Sequence, residues 1–190
     1  MTIKTFNLIV ISIALNSSLF AQSKKEIKKY KIKSATAVIT ELTPDGKEKT
    51  HTDSYQKYDN AGNITEETEY NKDGTFKKKE SHKFNKSNDV TEEVVYDEKG
   101  NIIKKTLTEY NNNKDKTLET VYDGKEKMLE KTQFGYNLGG EKTFELNTDD
   151  KGKVLKKSIY TYDKNGLKIE KKMSDDKGNM TVTKKYTYEY

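Results

Sequence analysis

The sequence predicts an all-β protein: about twelve antiparallel strands in a meander of 26-residue repeats, laid out as an extended single layer or curled into an open tube, behind an N-terminal signal peptide. Three observations predict it. Tyr58, Phe84, Tyr110, Tyr136, Tyr162 and Tyr188 recur at intervals of 26 without a slip. A second series, Tyr70, Tyr96 and Tyr122, follows 12 residues behind the first three members and continues as Thr148 and Ser174. Asp or Asn follows most of these positions, and glycine recurs three residues after that, at Gly62, Gly74, Gly100, Gly140, Gly152, Gly166 and Gly178.

The N-terminal element is an address. Met1-Thr2-Ile3-Lys4 is a short basic start, residues 6–15 are apolar, and Leu19-Phe20-Ala21 ends in a small residue before Gln22. This is the three-part pattern of a secretory signal peptide and is too short for a comfortable membrane span. Residues 1–21 are therefore read as a signal, the mature chain starts near Gln22, and the protein is expected outside the cytoplasm, periplasmic, secreted or on the cell surface. No cysteine follows the apolar run, so neither a lipid anchor nor a disulfide is expected. Residues 22–34 carry Lys24, Lys25, Lys28, Lys29, Lys31 and Lys33 and read as a linker or a lysine-protected edge strand. Residues 35–190 form the repetitive β-sheet domain.

Within that domain the punctuation is hairpin chemistry. Asp59-Asn60-Ala61-Gly62 puts an Asx side chain at the first turn position and glycine where a left-handed backbone is required. That suits a type I turn closed by a glycine bulge. Pro44-Asp45-Gly46 starts the series; Asn88 fills one glycine slot, while Lys114 and Glu126 break the rule. Segments such as 64–70 and 102–110, rich in Thr, Tyr, Val, Ile and Lys, supply the strands. If Asp59 pairs with Asn63, Tyr58 faces Ile64, and likewise Tyr70 faces Phe76, Phe84 faces Val90, Tyr96 faces Ile102 and Tyr122 faces Met128. Of sixteen Tyr and Phe residues after position 50 only Tyr55 is odd-numbered. A side-chain period of two, with turns that keep parity, then predicts nearly all aromatics on one face, in two rows near the turn margins.

Composition limits the function classes. After residue 21 only 27 of 169 residues are Leu, Ile, Val or Phe, below the roughly 20% at which a chain is suspected of disorder; cross-strand aromatic pairs at roughly 0.2 to 1 kcal/mol each offset that deficit. All 36 basic residues are lysine and are interleaved with 31 acidic ones, so a pI near 9.0 does not indicate a nucleic-acid partner. His51 and His82 sit in different repeat phases, and no cysteine accompanies them; neither a nucleophile nor a zinc constellation is formed. The stretches 149–153 and 175–179 lack the alternating oxygen ligands of calcium loops and read as hairpin turns. No cofactor, no metal and no catalytic residue is expected. Alternating aromatics at Tyr186, Tyr188 and Tyr190 resemble the last strand of an outer-membrane barrel, but mid-strand Lys and Glu on both faces oppose lipid contact, and no membrane insertion is expected after signal cleavage.

The stretches 58–63, 96–101 and 160–166 resemble the YD repeat of bacterial Rhs-type and wall-associated proteins, and the chain is similar to small exported repeat proteins of Bacteroidota. The resemblance covers residues 55–190. It implies a β-sheet surface or shell, tied to carbohydrate binding, adhesion or toxin encapsulation. Two departures stand against that transfer: Asn or Lys replaces the arginine that follows the family's glycine, and the chain is too short for an enclosing shell.

Two roles follow. In one, a non-catalytic module at the cell envelope stacks exposed rings on sugars or wall polymers, with Tyr70, Tyr96, Tyr122, Tyr110, Tyr136 and Tyr162 as the candidate binding residues. In the other, the sheet is a protein-protein interaction subunit of an envelope complex. The same tyrosines also have a purely structural use, as cross-strand ladders in a thin sheet. Oligomeric state is not legible from the sequence.

Overall fold

A computed structural model describes residues 23–42 and 46–189. The signal-peptide expectation for 1–21, and Pro44-Asp45 of the first turn, lie outside the described residues. Twelve strands form one antiparallel sheet in strict chain order. They are β1 (Ser34–Leu42), β2 (Glu48–Tyr58), β3 (Ile64–Tyr70), β4 (Phe76–Phe84), β5 (Val90–Tyr96) and β6 (Ile102–Tyr110). The second half is β7 (Lys116–Asp123), β8 (Met128–Tyr136), β9 (Lys142–Asp149), β10 (Val154–Tyr162), β11 (Lys168–Ser174) and β12 (Met180–Lys185). The sheet stays open: among the described residues β1 and β12 are its two edges, and each interior strand is hydrogen-bonded to its two chain neighbours.

The turns have one geometry throughout. In each repeat-phase turn the Asx N–H donates to the carbonyl four residues on, and the N–H of the fourth turn residue donates back, as in Asp59 N→Asn63 O at 3.0 Å and Gly62 N→Asp59 O at 3.1 Å. The Asx oxygen earns its place by accepting two further backbone N–H groups: Asp149 Oδ1 takes Lys151 and Lys153 at 2.9 and 2.8 Å, and Asn85, Asn111, Asp123, Asn137, Asp163 and Asp175 repeat the pattern. Lys114 and Glu126, which break the glycine rule in residue type, obey it in backbone: φ is 67° and 63°, beside 82° at Gly62 and Gly100 and 65° at Asn88. The turn is thus imposed by its hydrogen bonds even where a side chain opposes it.

The expected pairings Tyr58–Ile64, Tyr70–Phe76, Phe84–Val90, Tyr96–Ile102 and Tyr122–Met128 are all present. The expectation that the aromatics share one face is not met. One step beyond each of these pairs the register shifts: Tyr58 faces Ile64 but Lys57 faces Glu66, so Thr65 has no partner. Ten of the eleven hairpins carry this bulge, and the unpaired residues form two series of period 26, Thr65, Thr91, Thr117, Thr143 and Ile169, and Lys77, Ile103, Leu129, Leu155 and Thr181. One extra residue per hairpin reverses parity. Even-numbered β2 residues therefore share a face with odd-numbered β3 residues, as the Gln56 Nε2→Glu67 Oε1 bond at 2.5 Å shows. The first aromatic series lies on one face, hereafter the Tyr58 face, and the second on the other, the Tyr70 face.

Where a linker or edge strand is expected over 22–34, the chain forms a short helix, α1 (Lys24–Tyr30). Ser23 and Glu26 close a capping box, Lys31 ends the helix in a left-handed conformation, and Ile27 is buried. The helix lies against the β2–β3 turn: Lys24 Nζ donates to Asn63 Oδ1 at 2.8 Å, and Tyr58 N–H donates to Lys33 O at 2.9 Å. Among the described residues few apolar side chains are buried; besides Ile27 they are Tyr58, Val94, Val121 and Tyr160. Among the described residues no helix is long and apolar enough to cross a membrane.

Candidate functional site

The two faces of β6–β10 differ in chemistry. On the Tyr58 face the register gathers Thr106, Glu119, Val121, Glu130, Thr132, Glu145, Asn147, Ser158 and Tyr160. Asn147 Nδ2 donates to Thr132 Oγ1 at 2.9 Å and to Glu130 Oε2 at 3.2 Å. Lys142 pairs with Glu145. Three ammonium groups ring Tyr160, with Lys168, Lys142 and Lys171 at 4.9, 5.1 and 5.2 Å from its centroid, the distance at which a cation is attracted to an aromatic ring. Burial pushes the Tyr160 hydroxyl well above the usual phenol range, and its hydrogen bond to Glu145 adds to that. Burial alone would raise the Glu145 carboxyl, but hydrogen bonds from Lys142 and Tyr160 hold it below its ordinary value. Glu130, Thr132, Glu145, Asn147, Lys156 and Ser158 line a shallow polar basin on this face.

The first-series tyrosines are tied into the fold. The hydroxyls of Tyr110, Tyr136, Tyr162 and Tyr188 donate to the carbonyls of Val90, Lys116, Lys142 and Lys168 at 2.8, 2.9, 2.8 and 2.7 Å, each reaching back 20 residues. One repeat is thereby stapled to the one before it. Burial raises the hydroxyls of Tyr110, Tyr136 and Tyr162 above their ordinary value. Phe84 occupies the same slot without a hydroxyl, and Tyr58 donates instead to Gln56 Oε1 at 2.7 Å.

The second series stands on the opposite face. Tyr70, Tyr96 and Tyr122 are half-buried and lie at the far turn margin, at the ends of β3, β5 and β7. Tyr96 meets Ser81 Oγ at 3.0 Å, and Lys79 Nζ lies 5.6 Å from its ring centroid. The six candidate tyrosines are thus split between two faces and two margins, three in each set. They do not form one array.

The Tyr70 face carries what the aromatic pattern did not reveal. Leu107, Leu118, Leu146, Phe144 and Ile159 fall on it by register, with Phe144 directly opposite Ile159. Phe144 is 37% exposed and Ile159 45%. Three bulge residues, Ile103, Leu129 and Leu155, are exposed as well. The signal was present in the sequence as odd-numbered aliphatics in β6 and β10 and even-numbered ones in β7 and β9. It becomes a cluster only once the bulges are counted.

No family model and no curated protein matches the chain. Among solved structures it is similar to the TcdB2-TccC3-TEV crystal structure, at 13% identity and a TM-score of 0.42 over 79% of this chain; it spans only about a tenth (10%) of that one. It is also similar to a protein of unknown function from Bacteroides fragilis, at 14% identity, TM-score 0.38, over 80% of this chain and 94% of that one. A porin-like protein from Bacteroides uniformis follows at 10% identity, TM-score 0.34, over 80% and 82%. Every one of these TM-scores is below 0.5.

Proposed function

We propose that the chain is an exported, non-catalytic repeat protein that serves at the cell envelope as a scaffold for another protein. The observation that carries this reading is the aliphatic and aromatic cluster left exposed on the Tyr70 face, around Phe144 and Ile159. Water-exposed apolar groups gathered on one face of a sheet favour a partner that buries them; with 37% of Phe144 and 45% of Ile159 still exposed, the gain is about 0.5–1.5 kcal/mol for each. On the opposite, Tyr58 face the large apolar side chains Tyr58, Val121 and Tyr160 are buried instead.

A second reading, stacking on envelope polysaccharide, is favoured by Tyr70 and Tyr122, whose hydroxyls make no hydrogen bond among the described residues. A pull-down of the tagged protein from envelope extract, with purified cell-wall sacculi in parallel, separates the two. The scaffold reading expects one stoichiometric protein, lost on Ile159→Lys, and no retention on sacculi. Retention on sacculi that survives moderate salt and weakens on Tyr96→Ala or Tyr122→Ala overturns it in favour of the glycan surface.

A further inference from the structure

The two edges of the sheet are protected unequally. β12 (MTVTKK) is short, exposed along its whole length and ends in Lys184-Lys185, the guarding charge expected of an edge. β1 (SATAVITEL) has nine residues with no lysine and no proline; Glu41 is its one charged side chain. That is an edge strand without the guarding charge that β12 carries. Its irregularity against β2 does not blunt it either: Ala37 faces Ser54 and Val38 faces Thr52, so the extra residue is Asp53 of β2 and β1 itself runs unbroken. The helix α1 packs on the β2–β3 turn, and among the described residues no strand covers the outer edge of β1.

We propose that this edge is a self-association site, at which β1 of a second copy pairs antiparallel to β1 of the first. A two-fold axis through Val38 sets Ala37 opposite Ile39, Thr36 opposite Thr40 and Ala35 opposite Glu41. No like charges meet, and a Thr–Thr pair is formed of the kind Thr40 already makes with Thr50 at 2.9 Å. The same-patch contact closes on itself and yields a 24-stranded sheet whose two free ends are both lysine-bearing β12 edges. Head-to-tail addition of β12 to β1 would instead bring Lys184 and Lys185 into the new ladder and leave an open filament.

The chain has no cysteine, so a single introduced thiol reports the pairing. Directly opposed strand residues lie about 4.5–5.5 Å apart between Cα atoms, within disulfide range. Val38 is 56% exposed. Val38→Cys is expected to cross-link to a dimer on mild oxidation, whereas Val182→Cys, on β12, stays monomeric. The unmodified protein is expected to sediment at twice its chain mass at micromolar concentration, and Val38→Lys, which sets two lysines against each other on the axis, at chain mass with an unchanged circular dichroism spectrum. Sedimentation of the unmodified protein at chain mass up to about 100 µM, equal cross-linking of both cysteine variants, or a ladder of species beyond the dimer overturns the proposal.

Discussion

The left-handed turn slot gives the sharpest stability test. Glu126 and Lys114 hold φ of 63° and 67° in slots where the other turns place glycine or asparagine. A left-handed conformation costs an L-residue about 1–2 kcal/mol. Glycine returns part of that gain through its freer unfolded chain, about 0.5–1 kcal/mol. Glu126→Gly and Lys114→Gly are therefore each expected to stabilise by about 0.5–1 kcal/mol. The reverse change has a clean control: a Cβ built on Gly100 meets nothing within 4 Å, so Gly100→Ala reports backbone strain alone. At Gly62 the added Cβ comes to 2.8 Å from the Lys24 carbonyl oxygen, so Gly62→Ala also dislodges α1 and is expected to cost more than Gly100→Ala. Urea unfolding followed by circular dichroism, with the slope m unchanged, reads all four. In thermal melts each 1 kcal/mol corresponds to about 2–4 °C at this size. A lower midpoint for Glu126→Gly together with a costless Gly100→Ala would refute the turn argument.

Two further predictions concern the tyrosines and the turn carboxylates. Tyr136→Phe removes the bond to Lys116 O and is expected to cost about 0.5–1.5 kcal/mol, whereas Phe84→Tyr supplies the missing hydroxyl toward the carbonyl 20 residues back, that of Ile64, and is expected to raise the urea midpoint. A Tyr136→Phe midpoint equal to the parent would show that the rings alone hold the repeats. In the turns, the Asn101 side chain and N–H lower Asp97, the Lys127 and Lys125 N–H groups lower Asp123, and bonds from Asn179 overcome burial to lower Asp175. A depressed carboxyl contributes stability above its unfolded value of 3.8 and loses it as pH falls through the lower folded value, so unfolding free energy is expected to decline below about pH 4. At the other end Tyr110, Tyr136, Tyr160 and Tyr162 are raised mainly by burial; their contribution is present below pH 10 and is lost as pH rises beyond it. Urea midpoints that are flat from pH 2.5 to 5 would contradict the first half of this prediction, and flat from pH 9.5 to 11 the second.

The strands and turns were legible in the sequence because their cause is local. An Asx side chain and a left-handed residue three positions on suffice to close each hairpin, and the edge-most pair of every strand follows from that closure. The faces were not legible, because the bulge residue has no type of its own: Thr65, Lys77, Ile103 and Leu129 all occupy it. Counting by twos from Tyr58 therefore fails after one step, and the aromatic rows part company. The helix was signalled by Ser23-Lys24-Lys25-Glu26, a capping box hidden inside a lysine run. Of the candidate tyrosines, the positions were readable and the duties were not: whether a hydroxyl at 110, 136 or 162 meets solvent or a carbonyl depends on where the first residue of the preceding, neighbouring strand lies.

The reversal of faces at the ten bulged hairpins is what gathers the apolar cluster on one face, and a pair of double-cysteine variants tests it directly. In the bulged register Leu118 of β7 faces Gln133 of β8; without the bulge it would face Thr132. In a chain free of other cysteines, Leu118→Cys/Gln133→Cys is expected to form an intrachain disulfide on mild oxidation, seen as a cross-linked peptide by mass spectrometry, and Leu118→Cys/Thr132→Cys is expected to remain reduced. The opposite outcome would return both aromatic series to one face and contradict the account.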